Sequence, residues 1–454
     1  HLLGLDTEAA RRMPGVLAIF TASDMGDACM PQPNPLLEVP PGLRFALMAH
    51  TQVEHAGQPV ALVVASSLAQ ARAAAEAVGV EMAPQANVPD FEATEALTRV
   101  AFTAGEPVPA VTTVAQARIV SPRVVAMSME PRALVAQVHA HPASLKVWTG
   151  SQAPSRMQTD IAALLGLSEQ QVHVVTPHVG GAFGAKSSIY PEELLVCWAA
   201  WRLQRALRWA STRSEEFASA MHGRGGRLSG ALQCQPDGQM VALQADLDFA
   251  LGAWLPFSAV VPLRNAARIL PGPYRVPSLQ VQGQAALSHA APVSIYRGAG
   301  RPEAALLMET LVEMAARHLR IDPVELRLRN LIGSAEMPYQ TPTGEVLDSG
   351  DYAGLLLQAR ERFAYDEERA AQAQRRQQGD EHGDGEEGEH QHREDNRVPG
   401  HDPDATVRSA RRSQSGLQPP MARTLRITLL ALTALAVLVL AALVGVRFVE
   451  LVDR

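Results

Sequence analysis

A glycine-rich segment, residues 180–187, directly follows a short apolar run, residues 172–175, that predicts a strand. Glycines let a backbone approach a ligand closely and direct its N–H groups toward an anion. A nucleotide-binding P-loop needs Gly directly before Lys and four residues between its two glycines. Here Ala185 precedes Lys186 and the glycine spacing differs. The segment is therefore not a triphosphate loop, and an oxyanion cradle or a plain tight turn remains.

Two further segments carry polar groups suited to binding an oxygen atom. Residues 296–303 place two arginines in a glycine loop before a predicted helix, but Glu303 occupies the sixth position of a dinucleotide fingerprint and excludes that motif. Such arginines suit an oxyanion, a carboxylate or a carbonyl oxygen, and a structural ion pair is the alternative. Residues 149–154 place Gln152 after a predicted strand, where its amide either donates to an oxo ligand or caps a helix.

The apolar patterning predicts the elements that must position these segments. A continuous apolar run predicts a buried strand at 60–65, and Ser66 and Ser67 are candidate N-caps of the helix that follows. Gly166 fits the position after a helix C-terminus. Residues 84–119 are polar and contain prolines, so we place a domain boundary there. The remaining predicted elements are a strand at 145–149 and helices at 68–78, 155–165, 190–203 and 303–319.

Composition limits the class of protein. The 454 residues allow two or three domains. A net charge of −7 argues against nucleic-acid binding. The three cysteines lack CxxC spacing, so neither a disulfide scaffold nor a cysteine-ligated iron–sulfur cluster is expected in this chain.

The last quarter of the chain differs from the rest. Residues 366–407 hold 13 acidic and 5 basic residues and lack large apolar ones, which predicts a disordered linker over residues 366–420. Residues 427–446 are 20 residues without a charge, which predicts a transmembrane helix at 426–447. Arginines cluster before this span, so the positive-inside rule predicts a cytoplasmic body anchored to the inner (plasma) membrane. The change at Tyr365 suggests a truncated or fused gene.

Several segments, taken in order, resemble the molybdenum-binding large subunit of the xanthine dehydrogenase, aldehyde oxidase and carbon monoxide dehydrogenase family. The resemblance covers residues 1–363. It implies an α+β fold with a partial α/β hammerhead domain at 1–95 and the first half of a molybdopterin-binding domain, with mixed sheets and helices, at 120–363. The matching segments are residues 57–61, 129–132, 151–152, 180–186, 222–225, 270–274 and 296–303.

The resemblance also implies a chemistry and a site. It implies oxidative hydroxylation with water as the oxygen source, a molybdenum–pyranopterin (molybdopterin) cofactor in its plain or cytosine dinucleotide form, and separate subunits that carry iron–sulfur clusters and FAD. The metal is held through the pterin, without direct protein ligands. Gln152 matches the glutamine near the apical oxo ligand, and Arg297 matches the arginine that positions substrate. The loop whose amides face the metal's oxygen ligands is matched by Gly181, Ala182, Phe183 and Gly184.

The chain departs from the family pattern at informative positions. Ser187 stands where purine-oxidising members carry Glu, and Gly298 stands where carbon monoxide oxidisers carry Cys, so we expect an aldehyde or an N-heterocycle as the small-molecule substrate. No residue here matches the general-base glutamate, which in the family belongs to a second molybdenum-binding domain. The chain alone is therefore expected to be an incomplete enzyme. The alternatives are a non-catalytic, membrane-anchored binding or assembly protein and a degraded remnant.

Overall fold

The computed structural model describes residues 1–37, 39–93, 95–106, 113–378 and 446–451. The described residues fall into two units. The first is His1–Tyr352 together with a C-terminal strand, and the second consists of the helices that follow Tyr352. The second unit contains most of a helix that begins at Tyr352 and all of one that begins at Tyr365, Tyr352–Arg362 and Tyr365–Gln378.

The N-terminal part of the first unit builds a small α/β layer. Strand β3 is fully buried, which agrees with the continuous apolar run predicted at 60–65. The predicted cap is confirmed at Ser67, whose side chain accepts a hydrogen bond from the backbone of Gln70. Strand β2 pairs antiparallel with β3, and β1 pairs antiparallel with β4. The elements are β1 Leu2–Asp6, α1 Glu8–Arg11, β2 Val16–Thr21, α2 Ala22–Met25, β3 Ala61–Ala65, α3 Leu68–Glu76 and β4 Gly79–Met82.

A seven-stranded sheet, ordered β2-β3-β16-β10-β7-β8-β9, continues from this layer and carries two of the candidate site segments at its end. Strand β16 comes from the C-terminus and lies between β3 and β10, parallel to the first and antiparallel to the second. Helices α4 and α5 belong to the core of this sheet through Ile161 and Leu194. The elements are β7 Ala133–Ala140, β8 Ala143–Thr149, α4 Pro154–Leu165, β9 Val172–Val175, α5 Pro191–Leu203, β10 Leu207–Ala210, α6 Arg213–Ser219 and β16 Val446–Leu451.

A second sheet of five strands, ordered β5-β13-β12-β11-β6, carries the third candidate segment. Its core includes Leu228 and Leu247 of the sheet, Leu263 of α7 and Leu307 of α8. The elements are β5 Thr98–Ala104, β6 Thr113–Val125, β11 His222–Cys234, β12 Met240–Gly252, α7 Val261–Ile269, β13 Ser278–Leu287, α8 Arg301–Leu319, α9 Pro323–Asn330, β14 Tyr339–Gln340 and β15 Val346–Leu347.

Most predicted elements are confirmed, and the expected left-handed conformation is found at Gly166, with φ 66°. Residues 84–119, in which we place a domain boundary, also contain β5 and the start of β6, which pair with β13 and β11 far along the chain. One expectation differs from the structure. Residues 366–378 of the predicted disordered linker lie in a helix, because alanine, glutamate, glutamine and arginine have high helix propensity. The rest of that linker, 379–420, is outside the described residues.

The predicted transmembrane helix receives no support. Residues 426–445 of that span lie outside the described residues, and its last two residues, Val446 and Arg447, belong to strand β16 rather than to a helix. Among the helices that the structure describes, none has the length and apolarity needed to cross a membrane.

Candidate functional site

The glycine-rich loop, residues 180–187, connects β9 to α5 in a conformation that few sequences can adopt. Gly181 and Gly184 have φ of 99° and 105°, and Phe183 has φ of 53° although it is not glycine. A Cβ on Gly184 would lie 2.6 Å from the backbone oxygen of Ile295. Glycine at 184 therefore both permits the turn and lets this loop contact the segment that carries Arg297.

Glu130 holds the two ends of this loop together. Its Oε2 accepts hydrogen bonds from the backbone N–H of Gly180, at 2.6 Å, and from Nζ of Lys186, at 2.9 Å. Burial raises the pKa of Glu130, but the bonds from Lys186 and Gly180 outweigh it, so the pKa is lowered overall. We call this arrangement of Glu130, Gly180 and Lys186 the loop clasp.

Gln152 joins the glycine-rich loop to the end of strand β8. Its Oε1 accepts from the backbone N–H of Gly184 at 2.9 Å, and its own backbone N–H donates to the carbonyl of Lys186 at 2.9 Å. The side-chain nitrogen Nε2 donates to no group in the described part of the chain. Because its oxygen is fixed by Gly184, the orientation of the amide is set and one donor remains available for a ligand.

The loop itself offers three consecutive amide donors. The N–H of Gly184 is bonded to Gln152, whereas those of Gly181, Ala182 and Phe183 find no acceptor among the described residues. Successive N–H groups in a backbone that alternates with left-handed residues form a concave anion-binding nest. Of the four residues matched to the cofactor loop, three therefore present free amides, and Gly184 serves to anchor Gln152.

Arg297 lies against the same loop. Its backbone N–H donates to the carbonyl of Phe183 at 2.7 Å, and its guanidinium carbon lies 5.4 Å from the centre of the Phe183 ring. The residue is exposed, and its guanidinium has no hydrogen-bond partner within the residues described. The third segment is thus brought to the other two, and it contributes a free cation beside the amide nest.

A buried ion-pair centre around Arg132, which the sequence did not reveal, lies near the loop. The guanidinium of Arg132 donates to Glu216 at 2.8 Å, lies 3.3 Å from Glu192, and stacks 3.9 Å from the centre of the Tyr190 ring. Burial alone would lower the pKa of Arg132, but the two carboxylates raise it, so the cation is retained. The only sequence signal was the match of residues 129–132 to a family motif.

The buried carboxyl of Glu193 lies next to this centre. Burial raises its pKa to about 7, although the Tyr190 backbone N–H donates to it at 3.0 Å. Among the described residues, no three of His, Cys, Asp or Glu are grouped as metal ligands. The groups around the loop that have no partner among the described residues are the amides of residues 181–183, Nε2 of Gln152 and the Arg297 guanidinium. All of them are donors, which suits a ligand that brings its own anionic oxygen atoms.

The fold and the donor set define a class of cofactor-binding protein, and comparison with known families identifies it. Residues 93–331 match the family model of the molybdopterin cofactor-binding domain. Residues 1–86 match the α/β hammerhead domain of aldehyde oxidase and xanthine dehydrogenase. The chain therefore belongs to the molybdenum-binding large subunits of the xanthine dehydrogenase and carbon monoxide dehydrogenase family.

Individual relatives agree with this assignment. The chain is 27% identical to the nicotine 6-hydroxylase large subunit of Paenarthrobacter nicotinovorans, over 78% of this chain and 46% of the relative. It is 30% identical to the carbon monoxide dehydrogenase large chain of Hydrogenophaga pseudoflava, over 81% of this chain and 50% of the relative. The crystal structure of quinoline 2-oxidoreductase from Pseudomonas putida 86 superposes with a TM-score of 0.78 at 29% identity, over 83% of this chain and 50% of that structure's chain. The chain spans about half the length of these relatives.

Proposed function

We propose that this chain forms the molybdenum-facing part of a hydroxylase that oxidises an N-heterocycle, with an aldehyde as the second substrate class. When bound, the molybdopterin cofactor supplies a two-electron oxidation of a substrate carbon with oxygen taken from water. Two relatives support the heterocycle, since their names give nicotine and quinoline as the compounds they act on. Ser187 and Gly298, which replace residues typical of purine and carbon monoxide oxidation, favour the same substrate class.

The main support for this proposal is that three segments distant in sequence come together around one group of free hydrogen-bond donors. The amide N–H groups of residues 181–183 would donate hydrogen bonds to the anionic oxygen atoms of the cofactor, since a nest of N–H groups is suited to negative charge. The fixed amide of Gln152 would donate to one further oxygen. Arg297, whose guanidinium is free, would orient a carbonyl or anionic group of the substrate.

The surroundings of the donors favour a protein partner that covers them. Met129 is 87% exposed, and Val179 and Phe183 are exposed as well, so apolar side chains border the amide nest. Apolar groups beside a polar site mark a surface that a further protein part covers. We propose that a second molybdenum-binding domain covers it, and that iron–sulfur and FAD subunits take the two electrons. The cytosine dinucleotide form of the cofactor is part of the same proposal.

Cofactor retention tests this function. The full chain is purified from a host that makes the molybdenum cofactor, and its molybdenum content and its pterin fluorescence after oxidation are measured. We expect both above background and both reduced by Gln152→Ala, whereas Arg297→Gln, which alters the substrate-facing cation, should leave both unchanged. The matched control is Gln158→Ala in helix α4, whose amide donates to Glu169. A folded chain with no more metal or pterin than an unrelated protein would contradict the proposal.

A further inference from the structure

The backbone of Arg297 is fixed at both of its polar groups. Its N–H donates to the carbonyl of Phe183 at 2.7 Å. Its carbonyl accepts a hydrogen bond from Nη2 of Arg224 at 3.0 Å. Arg224 comes from strand β11, so two separate parts of the first unit hold the residue whose side chain is free. Charge-assisted hydrogen bonds of this kind are about twice as strong as neutral ones.

Arg224 is itself held by two neighbours in the 296–303 loop. Its guanidinium carbon lies 4.8 Å from the centre of the Tyr296 ring, which is a cation–π distance. Its Nη1 lies 3.7 Å from Oε1 of Glu303. The Glu303 side chain is 1% exposed, and neither carboxylate oxygen has a hydrogen-bond partner among the described residues. Because a buried carboxylate needs a compensating cation, Glu303 and Arg224 stabilise each other's charge.

The backbone around Arg224 adopts an unfavourable conformation in order to place its guanidinium on the Arg297 carbonyl. Arg224 has φ of 59°, in the left-handed region that non-glycine residues avoid. The preceding Gly223 approaches the loop so closely that a Cβ there would lie 2.2 Å from Cβ of Tyr296. Such conformations are unfavourable and persist only where the surrounding structure over-determines them. The conformation therefore directs a long cationic side chain from the strand onto the loop.

We propose that Arg224 and Glu303 are positioning residues for Arg297. Arg224 fixes the carbonyl of Arg297, and Glu303 fixes Arg224, so that the free guanidinium is presented beside the amide nest. This inference rests on the proposed function for its purpose, but the contact itself is measurable without any cofactor. Neither residue needs to touch substrate or cofactor in order to act in this way.

Trypsin cleavage of the 297–298 peptide bond measures whether the loop is held. Trypsin does not cleave before proline, so Arg301, which Pro302 follows, resists and Arg297 gives the only tryptic bond within the loop. The full chain is digested briefly, and the peptide ending at Arg297 is quantified by mass spectrometry. We expect Arg224→Ala to speed this cleavage about tenfold or more, the factor for one lost charge-assisted hydrogen bond. Glu303→Gln should produce a smaller increase.

Rescue and control variants distinguish positioning from a general loss of stability. Ethylguanidinium, added well below denaturing concentration, should restore protection in Arg224→Ala and not in Glu303→Gln. Because the additive also inhibits trypsin, protection is measured as cleavage at Arg297 relative to cleavage at another tryptic bond of the same chain. The control is Arg227→Gln on the same strand, an exposed arginine stacked on Phe91, which should leave the 297–298 bond protected. Thermal unfolding midpoints identify any variant that fails to fold.

An unchanged cleavage rate at Arg297 in a folded Arg224→Ala chain would overturn the proposal. If Arg224→Ala does not fold, the test rests on Glu303→Gln, which keeps the shape of the side chain. A cleavage rate at Arg297 equal to that of the unsubstituted chain would then overturn the proposal. A chain that retains no molybdenum and yet shows the expected cleavage pattern would refute the proposed function and leave the positioning intact. The two failures are therefore distinguishable.

Discussion

The loop clasp gives a sharp test of how the candidate site is held together. Glu130→Gln keeps the size of the side chain and keeps an acceptor for Gly180, but it cannot pair the charge of Lys186. The Lys186 side chain is 5% exposed, whereas that of Glu130 is 36% exposed. Breaking a fully buried pair costs about 3–5 kcal/mol, and water at the exposed carboxylate reduces this. We therefore expect a loss of about 2 kcal/mol in the free energy of unfolding.

The partner substitution separates pairing from packing. Lys186→Met removes the buried charge and leaves Glu130 able to contact water, so its cost should be smaller, about 1 kcal/mol. The double variant should then cost less than the sum of the two, by about 1 kcal/mol or more, because the unpaired lysine is absent from it. Urea unfolding of the full chain, followed by tryptophan fluorescence, gives all four free energies.

Two outcomes would refute this account of the clasp. Additivity of the two substitutions within about 0.5 kcal/mol would show that the charges do not interact. The pH dependence gives an independent check. The pKa of Glu130 is lowered in the folded chain, so its contribution is present above the ordinary carboxyl pKa and is lost as pH falls through the folded value. A difference between Glu130→Gln and the unsubstituted chain that persists at pH 2 would contradict the ionic origin.

Three other substitutions have defined outcomes. Gly184→Ala should lower the free energy of unfolding by about 2 kcal/mol or more, measured by urea unfolding, and should reduce molybdenum retention. Gly166→Ala is its control, because Gly166 also has positive φ but has no neighbouring atom within 4 Å of the added Cβ; it should cost about 1 kcal/mol and retain the metal. Arg132→Met removes the cation beside Glu216 and should cost about 3–5 kcal/mol in the same assay; a loss under 1 kcal/mol would contradict a charged centre. Because the pKa of Glu193 is raised from 4.5 to about 7, the free energy of unfolding should fall by about 3 kcal/mol as pH rises across that interval, and Glu193→Gln should remove this fall. An unaltered pH dependence in Glu193→Gln would show that the pKa of Glu193 is not raised.

The sequence predicted the parts of this structure that local chemistry determines. Apolar runs and periodicity located strands β3 and β9 and helices α4, α5 and α8, because burial of one face depends on the residues of that segment alone. The turn at Gly166 followed from the absence of a Cβ. The family motifs indicated Gln152, the glycine-rich loop and Arg297, and the structure places these within hydrogen-bonding reach of one another.

The contacts that connect the site were not predictable from the sequence. Glu130 and Lys186 are 56 residues apart, and Gln152 and Gly184 are 32 residues apart. Nothing in the local pattern of either partner specifies the other, since the distance is set by how the strands between them pair. Strand β6 was missed as well: Ala115 and Ile119 on one of its faces contribute to the core, but its pairing partner β11 lies far along the chain.

Backbone strain on both sides of Arg297 connects the fold to the proposed chemistry. Phe183 and Arg224 are both non-glycine residues with positive φ, 53° and 59°, and each bonds to one polar group of the Arg297 backbone. A loop selected only for stability would place glycine at these positions and avoid a cost of about 1–3 kcal/mol each. The side chains that remain there are an aromatic ring under the Arg297 guanidinium and a cation on its carbonyl. Under the positioning proposal, this strain serves to orient one free arginine, which is the property that binding an anionic or carbonyl group requires.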